Sequence, residues 1–187
     1  MTLPVLDTVQ VVTDVIRVER SVFDSVSKRV DRHFKKLEIT KPTKPDKKRI
    51  VYNPLGNLRL IQRGLYRKII LPRSGYSYYS HGVRGRSTKT SLNQHVGQRF
   101  LFTADIADFY PNIHYTRVHE VFRSFGCTEP VANCLTRLCT ADHCVPQGFI
   151  TSPILADLVF RMVDRQIGDL CAPTCQPAPG RTDRRTR

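Results

Sequence analysis

FLFTADIADFYPNI, residues 100–113, is the stretch on which the reading of this chain turns. Up to Ala104 it is apolar and rich in β-favouring residues, which reads as a buried strand, and Pro111-Asn112 reads as the turn that leaves it. Asp105 stands at the end of that strand, Asp108 follows, and then comes the aromatic pair Phe109-Tyr110. A carboxylate in such a place is costly unless something cationic or hydrogen-bonding meets it. A divalent metal and a hydrogen-bonded or capping aspartate both satisfy that condition. The stretch alone leaves both open.

The 187 residues, 40% of them hydrophobic, suffice for one domain or one and a half with a real core, globular rather than disordered. No apolar run reaches the length of a membrane span, and the N-terminus lacks the basic and apolar regions of a signal peptide. A cytoplasmic protein without a membrane partner is expected. The net charge of +14 is unevenly placed: Lys28 to Lys89 holds 18 of the 30 basic residues and three acids, for a net of +15, and the remainder sums to −1. One basic half joined to a near-neutral half suits a polyanion lying on the first half, where a merely solvated surface is the plain alternative. Six cysteines, at 127, 134, 139, 144, 171 and 175, have irregular spacings and no CxxC pair, so free thiols in a reducing cytosol are expected rather than a zinc site with His143.

Working outward, residues 5–37 read as one helix or two, with Phe23, Val26, Val30, Phe34 and Leu37 on a single stripe. KPTKPDKK, residues 41–48, carries two prolines and reads as an exposed basic loop. Arg49 to Tyr52 reads as a short strand closed by Asn53-Pro54. Leu58, Ile61, Leu65 and Ile69 mark a second amphipathic helix, with Arg59, Arg63 and Arg67 clear of its stripe. From Pro72 to Gly97, serines, glycines, tyrosines and arginines interleave, which suits base stacking and phosphate contact or a loop packed by its own tyrosines. After residue 113, Tyr115, Val118, Phe122 and Phe125 form a helix stopped by Gly126. Thr128-Glu129-Pro130 opens another through Val131, Leu135 and Leu138. Val145–Gly148 is a turn, and Ser152-Pro153, as N-cap and first-turn proline, starts an apolar helix running to about Leu170. Beyond Cys171 the proline- and arginine-rich tail reads as disordered. No internal repeat is present.

Strand, Asp-x-x-Asp-Phe-Tyr, helical hairpin, then Pro-Gln-Gly-x-x-x-Ser-Pro leading a helix is a specific order. In it the chain resembles the reverse transcriptases, most closely the bacterial retron-type and group-II-intron-like branch. RIVYNPLGNLRLIQRGL (residues 49–65) resembles the fingers motif before the palm, and SHGVRGRS with Asn93 and His95 the next one. FTADIADFYPNI resembles motif A of the palm, and VPQGFITSPILADLVF (residues 145–160) motif B. The likeness spans about residues 20–171. It implies an α/β (α+β) fold: the helix-rich fingers and partial palm of a right-hand polymerase, thumb absent. The segments would be an N-terminal helical region 1–40, basic fingers 41–99, a partial palm 100–171 and a disordered basic tail 172–187.

The resemblance also implies roles. Asp105 would be the catalytic carboxylate and, with the backbone carbonyl of Ile106, a ligand for the magnesium ions of nucleotidyl transfer, with manganese as a substitute. Tyr110 falls where the family holds an aromatic gate against a 2′-hydroxyl, next to Phe109. Gln147 and Gly148 would shape the nucleotide pocket. Arg49 and Lys41 would contact the triphosphate, with Lys44 and Lys47 rivals for the latter part, and Asp108 would lie beside it. Arg59, Arg63, His81, Arg84 and Arg86 would meet nucleic acid. Partners would be an RNA template, a DNA primer, deoxynucleotides, and an accessory protein or structured RNA of the same element, whether a retron, an intron or an antiviral defence system.

The pattern departs from the family after motif B. An aromatic-x-Asp-Asp hairpin is expected near residues 178–190, yet the chain has no Asp-Asp pair and shows APTCQPAPGRTDRRTR there. The expectation is therefore a truncated reverse transcriptase, inactive alone. Its alternative is a non-catalytic nucleic-acid-binding module derived from one. An RNA-templated RNA polymerase is disfavoured by Tyr110.

Overall fold

The computed structural model describes residues 3–41, 44–75, 96–97 and 105–171. Helix α1, Val9–Ile16, starts where the Thr8 hydroxyl accepts from Val11 N at 3.3 Å. It stops at Arg17, whose φ of 58° lets Val18 N reach Thr13 O and Arg17 N reach Asp14 O, a Schellman closure. Helix α2, Arg20–Lys28, buries Phe23 and Val26. There the helical stripe read from the sequence ends: a 3-10 turn, Val30–His33, leads into strand β1, Phe34–Lys41.

Phe34 and Leu37 are thus strand residues, not helical ones. Residues 41–48 are likewise not a loop throughout, since strand β2 runs Lys44–Pro54 and pairs antiparallel with β1. The register explains how Pro45 is accommodated. Thr40 faces Lys48 but Lys41 faces Lys44, so Pro45 falls in the irregular stretch where no ladder donor is required. The short strand expected at Arg49–Tyr52 is the inner part of this longer one.

Helix α3, Gly56–Gly64, passes directly into a π-helical stretch, Leu65–Ile70, and a last turn, Leu71–Arg73. Its apolar stripe is buried as expected, and Arg59, Arg63 and Arg67 are exposed. Gly64 is required by close packing, because a Cβ there would lie 2.8 Å from the Ile16 Cβ of α1. Helix α4, Tyr115–Ser124, ends before Gly126 at φ 83°. Helix α5, Glu129–Cys139, starts with Glu129-Pro130 as the sequence indicated. Glu129 reaches back to His119 at 3.1 Å and Arg123 at 3.4 Å, closing the α4–α5 hairpin. Helix α6 spans Ser152–Cys171.

One hydrophobic core unites these elements, drawing Leu6, Val12, Phe23, Ile61, Leu65, Ile69, Phe122, Leu135 and Leu155 from both halves of the chain. The fold is mixed helix and strand, with a two-stranded sheet among the described residues. No helix among them is long and apolar enough to cross a membrane. The far half of α6 stands away from the core, with Met162, Val163, Ile167 and Leu170 exposed. The strand expected through Ala104, the tyrosine–arginine stretch 76–95 and the tail from 172 lie outside the described residues.

Candidate functional site

Three segments meet on one side of the core. The first is the inner part of β2. The second is the turn Val145–Gly148, and the third is the run Asp105–Ile113. Gly148 has φ 112°, and a Cβ on it would sit 2.5 Å from Tyr52 O and 2.9 Å from Val51 Cγ1. Only glycine fits, because β2 lies directly against the turn. Beside it, Tyr52 N donates to Gln147 O at 2.7 Å. Side chains alternate across a strand, so exposed Arg49 leaves β2 on the same face as Val51, the face that receives Gly148.

Gln147 itself is half-buried. The Ser152 hydroxyl does not cap α6 but is its first residue and donates to Pro146 O at 2.6 Å, tightening the same turn.

The Asp105–Ile113 run is a succession of turns. Asp108 takes φ 47°, which aspartate tolerates, and Asn112 N bonds Asp108 O at 3.1 Å. Ile113 N bonds Tyr110 O at 3.1 Å, and Val145 N bonds Ile113 O at 3.0 Å. The exit of the Tyr110 turn is therefore one backbone bond from the start of the Pro-Gln-Gly turn. The Phe109 ring stands edge-on to Phe160 of α6 at 5.6 Å, and the Tyr110 ring is 5.7 Å from it. Both rings are half-buried against the core.

Asp105 and Ile106 are exposed. A carboxylate and a backbone carbonyl are the hard oxygen donors a magnesium ion takes, but they are too few alone to hold one. Among the described residues no group of three or more His, Cys, Asp or Glu side chains is placed to hold a metal. Arg59 and Arg63 stand one turn apart on the open face of α3. Lys41 ends β1, and His81, Arg84 and Arg86 lie outside the described residues.

The sequence reading singles out neither of two further elements of this region. Ala141–Cys144 is a two-residue hairpin with both central residues left-handed, Asp142 at φ 49° and His143 at φ 64°. Asp142 Oδ2 accepts from Lys36 Nζ at 2.6 Å and from the Tyr52 hydroxyl at 2.5 Å. The Lys36 ammonium first, and then the Tyr52 hydroxyl, hold its carboxyl below the usual range. Burial, reinforced by Asp142, pushes the Tyr52 hydroxyl up, so it stays a donor. The other element is Gln62, fully buried, which donates to Leu138 O at 2.9 Å and accepts from Ile150 N at 3.3 Å. It had a visible signal, a polar residue on the stripe of Leu58, Leu65 and Ile69. Cys127, Cys134, Cys139 and Cys144 are free thiols. Burial pushes Cys127 up to about 11 and Cys139 to about 12, which makes them poor nucleophiles.

No protein-family model matches the sequence. Individual proteins do. The chain is 24% identical over 165 residues to the retron Ec86 reverse transcriptase of Escherichia coli, covering 88% of this chain and 52% of that protein. It is 32% identical over 145 residues to the retron Se72 reverse transcriptase of Salmonella heidelberg (strain 579083-10), covering 76% and 38%. Against the retron Mx65 reverse transcriptase of Myxococcus xanthus it is 29% identical over 158 residues, covering 74% and 36%. The chain thus spans between about a third and a half of the length of these relatives. These relatives are reverse transcriptases, the class that the order of the motifs also resembles. Within that class the chain is similar to the retron-type members.

Proposed function

We propose that this chain forms the fingers and part of the palm of an RNA-directed DNA polymerase, which adds deoxynucleotides to a primer 3′-hydroxyl on an RNA template. The supporting observation is the convergence of the Arg49 strand, the Gln147-Gly148 turn and the exit of the Tyr110 turn, in a relative of retron reverse transcriptases. Arg49, with Lys41 from the end of β1, would neutralise the triphosphate through charge-assisted hydrogen bonds. The Gln147 amide would orient the incoming nucleotide. Tyr110, braced by Phe109, would leave no room for a 2′-hydroxyl, so selection is by exclusion. Asp108 would lie beside the triphosphate. Arg59 and Arg63, and His81, Arg84 and Arg86 in the second fingers motif, would hold template and primer phosphates.

Asp105 and the Ile106 carbonyl would hold magnesium or manganese. When bound, the ions supply activation of the 3′-hydroxyl and stabilisation of the departing pyrophosphate. A single carboxylate does not offset the repulsion between two close divalent ions, and the sequence has no Asp-Asp pair. The chain alone is therefore expected to bind primer–template without extending it.

Primer extension on an RNA template with magnesium and four deoxynucleotides tests this. Extension that Asp105→Ala abolishes would overturn the inactive reading, and failure to bind primer–template would overturn the polymerase reading. The exposed row Arg59, Arg63 and Arg67 also favours a second reading, a non-catalytic nucleic-acid-binding module. A deoxynucleotide that tightens the primer–template complex supports a polymerase pocket, and one without effect supports the module.

A further inference from the structure

We infer that Asp142 is a positioning residue: its carboxylate clamps β2 onto the Pro146–Gly148 turn and so sets Gln147 against Arg49. The consequence for nucleotide binding rests on the polymerase reading above. Asp142 lies 90 residues from Tyr52 and 106 from Lys36 in sequence, yet a single oxygen, Oδ2, accepts from both. The Tyr52 residue is 7% exposed, and a buried hydroxyl needs a partner, which Asp142 supplies.

The same tyrosine holds the turn through its backbone. Its N–H donates to Gln147 O, and its carbonyl occupies the space a Cβ on residue 148 would need. On the other side of the hairpin, His143 O accepts from Tyr115 N at 2.9 Å, and Val145 N donates to Ile113 O. The 141–145 segment therefore ties the Tyr110 turn, the Pro-Gln-Gly turn and the β1–β2 pair to one point. The groups facing Asp142 are Lys36 of β1, Tyr52 of β2, and His143 and Cys144 of its own hairpin.

A surface aspartate in a left-handed turn, serving only solubility, would leave the turn indifferent to its charge. A clamp would not. The test uses Asp142→Asn and Tyr52→Phe, singly and together, in the full 187-residue chain. Amide hydrogen exchange over Val145–Ile150 should accelerate by roughly tenfold in each single variant and no further in the double, as expected for two partners of one interaction. Exchange in α5 should not change. Affinity for a magnesium–deoxynucleotide complex on bound primer–template should weaken by about tenfold, and affinity for primer–template alone should stay within about twofold.

Unchanged exchange in the turn, additive effects in the double variant, or acceleration spread equally through α4 and α5 would each overturn the clamp. Absence of nucleotide binding by the unaltered chain would overturn the polymerase reading and the positioning role together. The exchange contrast decides the clamp either way.

Discussion

Gly148 and Gln62 show how far single side chains determine this site. At Gly148 a methyl group meets the Tyr52 carbonyl at 2.5 Å, in a backbone conformation that L residues rarely adopt. Gly148→Ala should destabilise the chain by at least about 2 kcal/mol, read as a lower urea midpoint. A loss below about 0.5 kcal/mol would mean that the turn lifts off β2 freely. Gln62→Leu keeps the volume but strands Leu138 O and Ile150 N without their partner. It should cost about 1–3 kcal/mol in the same experiment, and no measurable loss would mean that water replaces the amide. Asp142 adds a pH dependence. Its carboxyl is lowered in the folded chain, so the stabilisation it gives is present above the ordinary carboxylate range and is lost as pH falls through the lowered value. The stability gap between the chain and Asp142→Asn should hold near neutrality and close on acidification; a gap independent of pH would exclude the ionised carboxylate as its source. These residues differ in how visible they are in the sequence. Tyr110, Gln147 and Gly148 stand in an ordered local pattern. Gln62 is marked only as polar on an apolar stripe, and Asp142 not at all, because its partners are brought to it by the fold.

Elements defined by their own ends can be read directly. Gly126 stops α4, Glu129-Pro130 starts α5, and the run after Pro153 is apolar enough to be α6, because capping and helix periodicity are local. The β1–β2 pair escapes such a reading because its period is ambiguous. Phe34 and Leu37 extend the spacing of Phe23, Val26 and Val30, while Leu37 and Ile39 also alternate as a strand does. Pairing with residues 48–54 settles the matter, and that information is not contained in residues 34–41. The far half of α6 is the converse case, a helix whose apolar residues are only partly used. Met162 is 66% and Leu170 77% exposed, with Val163 and Ile167 between them. Such a strip on a helix tends to find another apolar surface. The isolated chain should self-associate as its concentration rises, measured by sedimentation velocity. Ile167→Lys with Leu170→Lys should reverse this and shift stability by less than about 0.5 kcal/mol, since neither side chain is in the core. A chain that stays monomeric at high concentration, or a double variant that associates as before, would show that this strip is not what associates.

Charge is distributed unevenly along the whole sequence, and the core fixes where the described part of the basic half is displayed. Most of the excess lies between Lys28 and Lys89. The described part of that segment comprises the end of α2, the β-hairpin and the α3 rod; α2 packs on α1 and α5, and the rod on α1, α5 and α6. On the α3 rod, Arg59, Arg63 and Arg67 are exposed at successive turns. A row spaced at about 6 Å by the helix rise over four residues lets successive guanidinium groups meet phosphates of one strand. Phosphate contacts release counterions, so the logarithm of affinity should fall linearly with the logarithm of salt concentration. Removing one such phosphate neutralisation should flatten that line by about 0.7–0.9. The double variant Arg59→Gln, Arg63→Gln removes two exposed charges and no buried group, so it should melt as the unaltered chain does. In a fluorescence-anisotropy titration against an RNA–DNA primer–template, its salt slope should be lower by about 1.5, with affinity reduced in proportion at low salt. Weaker binding at an unchanged slope would mean that these arginines stack on bases or sugars instead of neutralising phosphates. No change in either quantity would move the nucleic acid off α3, leaving the hairpin and the basic stretch around Arg84 and Arg86 to carry it.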